Sequence, residues 1–173
     1  MKALLFILFL TNIWTFGIAQ DTLTQKIKEA EISIKLPNNQ WLLDEKIEKN
    51  GLVVYIFNRI AIIDSLGKNI SPSISIVIES IDKNMDLVNF SILKRTKRPF
   101  EVEKVFNYET GLMNFKNAIC YQGNYFDDES KHTIYVVHAI KNGKGIQIIF
   151  DATTSIFSKI NDEFLVTLKS FSD

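Results

Sequence analysis

Two rhythms of apolar residues run along this chain. Strict alternation of apolar and polar side chains predicts a half-buried strand, and recurrence every three or four positions predicts a helix. The alternating or β-branched runs are Ile32–Leu36, Leu52–Ile60, Ser73–Ser80, Val102–Tyr108, Ala118–Phe126, Thr133–Ile140 and Ile146–Ala152. In the third, SISIVIES, Ile74, Ile76 and Ile78 share a face opposite Ser73, Ser75 and Glu79. Pro37, Pro72 and Pro99 fall between runs, where a missing N–H costs least. Asn50-Gly51 and Asn142-Gly143 are hairpin signals, and Gly67 marks a further turn. The tips Asp127–Ser130 and Asn142–Gly145 are too short for a crossover, so the last three strands are predicted to be antiparallel neighbours.

Two segments follow the helical rhythm. Asp86–Arg95 spaces Leu87, Phe90 and Leu93 along one side, with Asp86 placed to cap the first turn. From Thr154 or Ser155 onward, Phe157, Ile160, Phe164, Leu168 and Phe171 form a stripe, while Lys159, Asp162, Glu163 and Lys169 lie off it. The sixth strand sets the number of layers. Tyr135, Val137 and Ala139 occupy one face and Ile134, Val136 and Ile140 the other, so both faces need cover. The C-terminal helix supplies one cover. The Asp86 helix, or the chain around Trp41 and Leu42, supplies the second. The fold class expected is α+β: an antiparallel β-sheet of about six or seven strands sandwiched between helices, an α/β/α arrangement.

The first nineteen residues obey a different logic. Lys2, the apolar run Ala3–Leu10, and the small residues Gly17 and Ala19 have the three parts of a secretory signal peptide. Thr11, Asn12 and Thr15 interrupt the run well short of the roughly 20 residues of a membrane span. The expected organisation is therefore a signal peptide over 1–19 and a single domain over 20–173, exported to a periplasm or secreted, with no stable membrane span after cleavage. Charge narrows the partners. The chain holds 20 Lys+Arg against 20 Asp+Glu, without the basic excess of a nucleic-acid binder. The single Cys120 cannot form an internal disulfide.

Candidate chemistry is sparse. Gly143-Lys144-Gly145 precedes a strand, whereas a phosphate-gripping loop follows one and opens a helix, so it reads as a hairpin turn. His132 and His138 lie six apart on one strand, about 20 Å at 3.3 Å per residue, and cannot share a metal. His138 reads as a partnered histidine on a half-covered face. Asp127, Asp128 and Glu129 lack the alternate spacing of a calcium loop and read as a solvated tip. Cys120 reads as a buried, inert thiol. Asn89-Phe90-Ser91 matches a glycosylation acceptor, yet lies inside a helical pattern. No catalytic residue, cofactor or metal set is recognisable. The one basic cluster, Lys94, Arg95, Lys97 and Arg98, suits a helix C-terminus and is the candidate surface for an anionic partner.

The order of these features resembles the Mog1/PsbP-like group, which includes exported bacterial domains. The resemblance runs from about Ile32 to Phe171 and is carried by "ISIKLPNNQW", "SPSISIVIES" leading into "DLVNFS", "GLMNFKNAICYQGNYF", "HTIYVVHAIKNGKGIQIIFDA" and "FSKINDEFLVTLKSF". It implies an antiparallel sheet between helices and action by binding, since photosystem members are accessory subunits and a nuclear member binds a small GTPase. No metal-ligand or partner-contact residue of the group maps onto this chain. The function expected is an exported, non-catalytic binding or assembly accessory domain with an unknown protein partner. The alternatives are a carrier of a small apolar ligand or lipid in the cell envelope, and a hydrolase in which His138 meets a serine or carboxylate.

Overall fold

The β-branched and aromatic runs fold into strands that lie side by side. The computed structural model describes residues 23–127 and 130–172; the signal-peptide reading of 1–19 and two residues of the acidic tip, Asp128 and Glu129, lie outside them. In chain order the elements are β1 (Leu23–Ile27), β2 (Ile32–Leu36), β3 (Trp41–Lys49), β4 (Leu52–Arg59), β5 (Ile62–Ile63), β6 (Asn69–Ile70), β7 (Ser73–Ser80), α1 (Leu87–Lys97), β8 (Glu101–Phe106), β9 (Ala118–Phe126), β10 (Lys131–Lys141), β11 (Lys144–Thr153) and α2 (Thr154–Ser170). Seven of the strands form one sheet in the order β3-β4-β7-β11-β10-β9-β8, each antiparallel to its neighbours. Strands β1 and β2 form a separate hairpin, as do the two-residue strands β5 and β6.

The sheet is covered on both sides, as the two-faced apolar pattern of β10 requires. On one side, Ile156, Ile160, Phe164 and Leu168 of α2 meet Ile146, Ile148 and Phe150 of β11, and the β1–β2 hairpin adds Ile27, Ile34 and Leu36. On the other side α1 lies over β10 and β9, above a smaller cluster of Ile134, Val136 and Ile149. The Asp86 carboxylate caps α1 by accepting a hydrogen bond from the Asn89 N–H at 2.8 Å. The helix stops at Lys97, ahead of Pro99.

Three expectations need correction. The chain around Trp41 and Leu42 does not cover the second face. It is edge strand β3, and Trp41 packs on the α2 side, 5.7 Å from the Phe164 ring. Its indole N–H donates to Glu163 at 2.7 Å, and Arg59 grips the same carboxylate at 2.9 and 3.0 Å. Strand β3 escapes pattern reading because a bulge between Leu43 and Glu45 breaks its alternation and most of it is exposed. Conversely Ile32–Leu36 is a strand outside the main sheet. Leu93 is 42% exposed; Phe90 and Ser91 are the buried residues of α1. The roof on the α1 side also stops short. Leu42, Ile47 and Leu52, at the β3–β4 end, remain exposed. Both sheet edges carry charges and a bulge, the second between Val102 and Lys104 of β8, which blunts them against strand pairing with another chain.

Candidate functional site

The Gly143-Lys144-Gly145 motif resolves into two structural roles. Asn142 and Gly143 both adopt positive φ, 50° and 71°, the combination a two-residue hairpin turn needs. Gly145 lies on the face beneath α1. A Cβ there would stand 2.5 and 2.6 Å from atoms of the Phe90 ring, so the missing side chain is what lets the helix sit down on β11. Lys144 Nζ donates to Ser80 Oγ at 3.0 Å.

Phe90 brings Ser91 with it, and Ser91 finds the two polar groups that alternation puts on the same face. Its Oγ is 2.7 Å from the Tyr121 hydroxyl and 2.9 Å from His138 Nδ1. On the far side of the imidazole, Gln147 Nε2 lies 3.1 Å from His138 Nε2. The Phe90 ring meets the imidazole edge-on at 5.9 Å. His138 is 0% exposed and Ser91 2%, so the histidine expected on a half-covered face is fully covered. Burial, then the charges of Lys94 and Arg95, push its pKa down to about 4. The ring is therefore neutral at pH 7. With the Gln147 amide nitrogen turned toward the ring as a donor, Nε2 accepts, and Nδ1 faces Ser91. The Ser91 hydroxyl is buried under α1 between the Tyr121 hydroxyl and Nδ1, turned away from solvent. The arrangement ties four elements, α1, β9, β10 and β11, together.

Beside this network is a cavity of about 40 Å³ between the C-terminal end of α1, the Pro99-Phe100 segment and strands β9 to β11. Ile134, Val136 and Ile149 make its apolar surface; Lys94, Arg95 and Arg98 stand around it. Lys94 forms an ion pair with Glu79. Arg95 lies against two aromatic rings, its guanidinium carbon 4.9 Å from the centre of Tyr121 and 5.9 Å from that of Phe100. Lys97 is exposed, away from the cavity lining. The basic cluster thus splits, with three of its four members at one opening.

A second polar group closes the far end. Tyr125 donates to Asp151 Oδ2 at 2.6 Å, His132 Nδ1 lies 2.6 Å from Asp151 Oδ1, and His132 Nε2 lies 3.0 Å from Asp127. Burial, reinforced by the Asp151 carboxylate, holds the Tyr125 phenol well above its ordinary range. His138 lines the cavity and His132 stands behind Asp151, each with its own partners. Cys120 is fully buried, and desolvation pushes its thiol far above its ordinary range. The serine of the Asn89-Phe90-Ser91 acceptor motif is the hydroxyl at the centre of the network. Sequence reasoning missed Ser91, Tyr121 and Gln147. The available signal was a serine on the buried stripe of a helix and a histidine on an apolar strand face, each needing a partner.

No protein-family model matches the sequence, and no curated protein matches it. Solved structures do match. The solution structure of cyanobacterial PsbP (CyanoP) from Synechocystis sp. PCC 6803 aligns at 15% identity over 94% of this chain and 97% of its own, with a TM-score of 0.53. LpqN, a protein involved in cell envelope biogenesis in Mycobacterium tuberculosis, aligns at 13% identity over 91% and 86%, with a TM-score of 0.52. PA94 of Pseudomonas aeruginosa, a protein of unknown function, aligns at 9% identity over 83% and 90%, with a TM-score of 0.51. At these identities the likeness speaks for architecture alone, and with the sheet order and the two helical covers it establishes that this chain has a PsbP-like fold.

Proposed function

We propose that this chain is an exported, non-catalytic binding domain that serves a larger assembly as an accessory, and that it meets its partner with the α1 side of the sheet. The observation that carries this reading is the contrast at that side. The groups that could do chemistry, Ser91 and His138, are sealed and satisfied by one another. The cationic groups, Lys94, Arg95 and Arg98, gather around an opening, with Lys97 beside them. The structural neighbours support it, since one is PsbP and another is involved in envelope biogenesis. Among the described residues no helix is long and apolar enough to cross a membrane. A lipid carrier is supported less well: ligand cavities run to roughly 300–1,000 Å³, and the space under α1 is about 40 Å³.

Photo-crosslinking in the native cells tests this directly. A photoreactive residue at Lys97 is expected to trap one partner in the envelope or secreted fraction, while the same residue at Lys26, on the opposite side, traps none. Equal trapping at both positions, or none at Lys97, overturns the assignment of the face. Export has its own test. The protein recovered from that fraction is expected to begin at Gln20; an intact Met1 chain retained in the cytoplasm overturns export.

A further inference from the structure

Arg95 and Arg98 have no carboxylate within ion-pair distance among the described residues, although acids surround them. Glu79 is taken by Lys94, Asp151 by Tyr125 and His132, and Glu103 by Asn124. Arg95 is also pre-positioned, because its guanidinium lies close to both the Tyr121 and Phe100 rings. Two guanidiniums without an ion-pair partner among the described residues, at the lip of a cavity with an apolar floor, are a good receptor for an anion, since their field is little screened on the low-dielectric side.

We propose that this cleft binds a carboxylate carried on a short branched aliphatic group, with the carboxylate on Arg95 and Arg98 and the branched end in the cavity over Ile134, Val136 and Ile149. The inference rests on the reading of the α1 side as the binding face and gives that face its chemistry. Guanidinium forks match the planar carboxylate. A singly charged anion is favoured over phosphate because Asp151 lines the same cavity. Size sets the body. An engineered apolar cavity of about 150 Å³ takes up benzene, and one of about 40 Å³ has room for methyl groups, not for a ring or an acyl chain. The depressed pKa of His138, lowered partly by Lys94 and Arg95, reports the same positive field. Such a carboxylate could be the end of a polypeptide or a free branched acid.

The test is an NMR titration of the mature chain, following backbone amides and arginine Nε–H signals, with isovalerate, isovaleramide, N-acetylvaline and inorganic phosphate. Isovalerate or N-acetylvaline is expected to shift Arg95, Arg98 and the amides of Val136 and Ile149 saturably, with isovaleramide at least tenfold weaker. N-acetylvaline the tighter by tenfold assigns the source to a chain end; isovalerate the tighter assigns it to a free acid. Arg98→Gln is expected to weaken binding at least tenfold, and Lys49→Gln, at the far end of the sheet, to leave it unchanged. Equal responses to acid and amide, tighter binding of phosphate, or no saturable response to either acid overturns the proposal. Crosslinking from Lys97 would survive that failure, so the face and its ligand are tested separately.

Discussion

The two faces of the central sheet are built from the same strands and do different work. On the α2 face, Phe150, Phe164, Ile148 and Ile160 are buried in one continuous apolar cluster together with Trp41 and Phe171. On the α1 face the apolar cluster shrinks to Ile134, Val136 and Ile149 with Phe100 and Tyr125, beside a buried hydrogen-bonded network, a cavity and a cationic rim, and the β3–β4 end is uncovered. The difference separates stability from recognition. An all-apolar face can be close-packed, because its side chains need only fill space. A face that mixes a buried histidine with arginines trades packing for direction.

Breaking the packed face has the largest expected effect. Phe164 touches the rings of Trp41, Phe150 and Phe157 at 5.7, 5.3 and 6.1 Å. Phe164→Ala is expected to cost about 3–5 kcal/mol, measured by urea denaturation. A loss under about 1 kcal/mol would show that the face relaxes around the cavity and is not close-packed.

Acid is the sharper tool for the other face. His138 has a folded pKa of about 4 against an unfolded value near 6.5. Above that unfolded value neither state holds the proton and stability is complete. As pH falls from about 6.5 toward 4, the unfolded chain takes up a proton that the folded one refuses, and up to about 3 kcal/mol is lost. The groups around the ring are Ser91, Tyr121, Gln147 and Phe90, with Lys94 and Arg95 adding repulsion to the imidazolium. His138→Gln is expected to flatten the stability–pH curve in that window. Parallel curves for the two proteins would place the acid sensitivity elsewhere.

The two faces also differ in how much of them could be read from the chain. The α2 face announces itself locally: Phe157 to Phe171 keep a helical spacing, β7 alternates cleanly and β10 is apolar on both faces, so strands, helix and layer order follow from pattern. The Asp86 cap and the Asn142-Gly143 turn are equally local. Strand β3 was hidden because a half-exposed edge carries charges on both faces and a bulge resets its period. The network on the α1 face was hidden for another reason. Ser91, Tyr121, His138 and Gln147 come from four elements, and only His138 and Gln147 face each other across a local hairpin. Only the sheet order β11-β10-β9, with α1 laid across it, brings them within hydrogen-bond distance. The basic cluster was visible as a charge run, but the division between Lys97 and the three residues at the cavity depends on where α1 sits.

That seat depends on a glycine. Gly145→Ala would drive a methyl group into the buried Phe90 ring and the Ile81 side chain. Overpacking of this kind costs about 1–3 kcal/mol. Because the clash lies under α1, the loss is expected to appear as faster amide exchange in α1 and at His138, with α2 protection kept. Uniform loss of protection in both helices would mean that the two faces unfold as one unit.

The smallest expected change in stability comes with the largest expected change in recognition. Arg98 is exposed at the end of α1 and has no carboxylate within ion-pair distance among the described residues; its backbone N–H, which donates to the Lys94 carbonyl at 3.2 Å, is indifferent to the side chain. Surface substitutions of this kind usually stay within about 0.5 kcal/mol, so Arg98→Gln is expected to leave the urea midpoint nearly unmoved. If the charge were structural, neutralising it would destabilise α1, and the exchange rates that report Gly145→Ala would rise here as well. If the charge is held for a ligand, those rates stay fixed while isovalerate or N-acetylvaline loses affinity. Relief from repulsion among Lys94, Arg95 and Arg98 would even raise the midpoint slightly, the sign expected of a residue kept for binding at some expense to the fold.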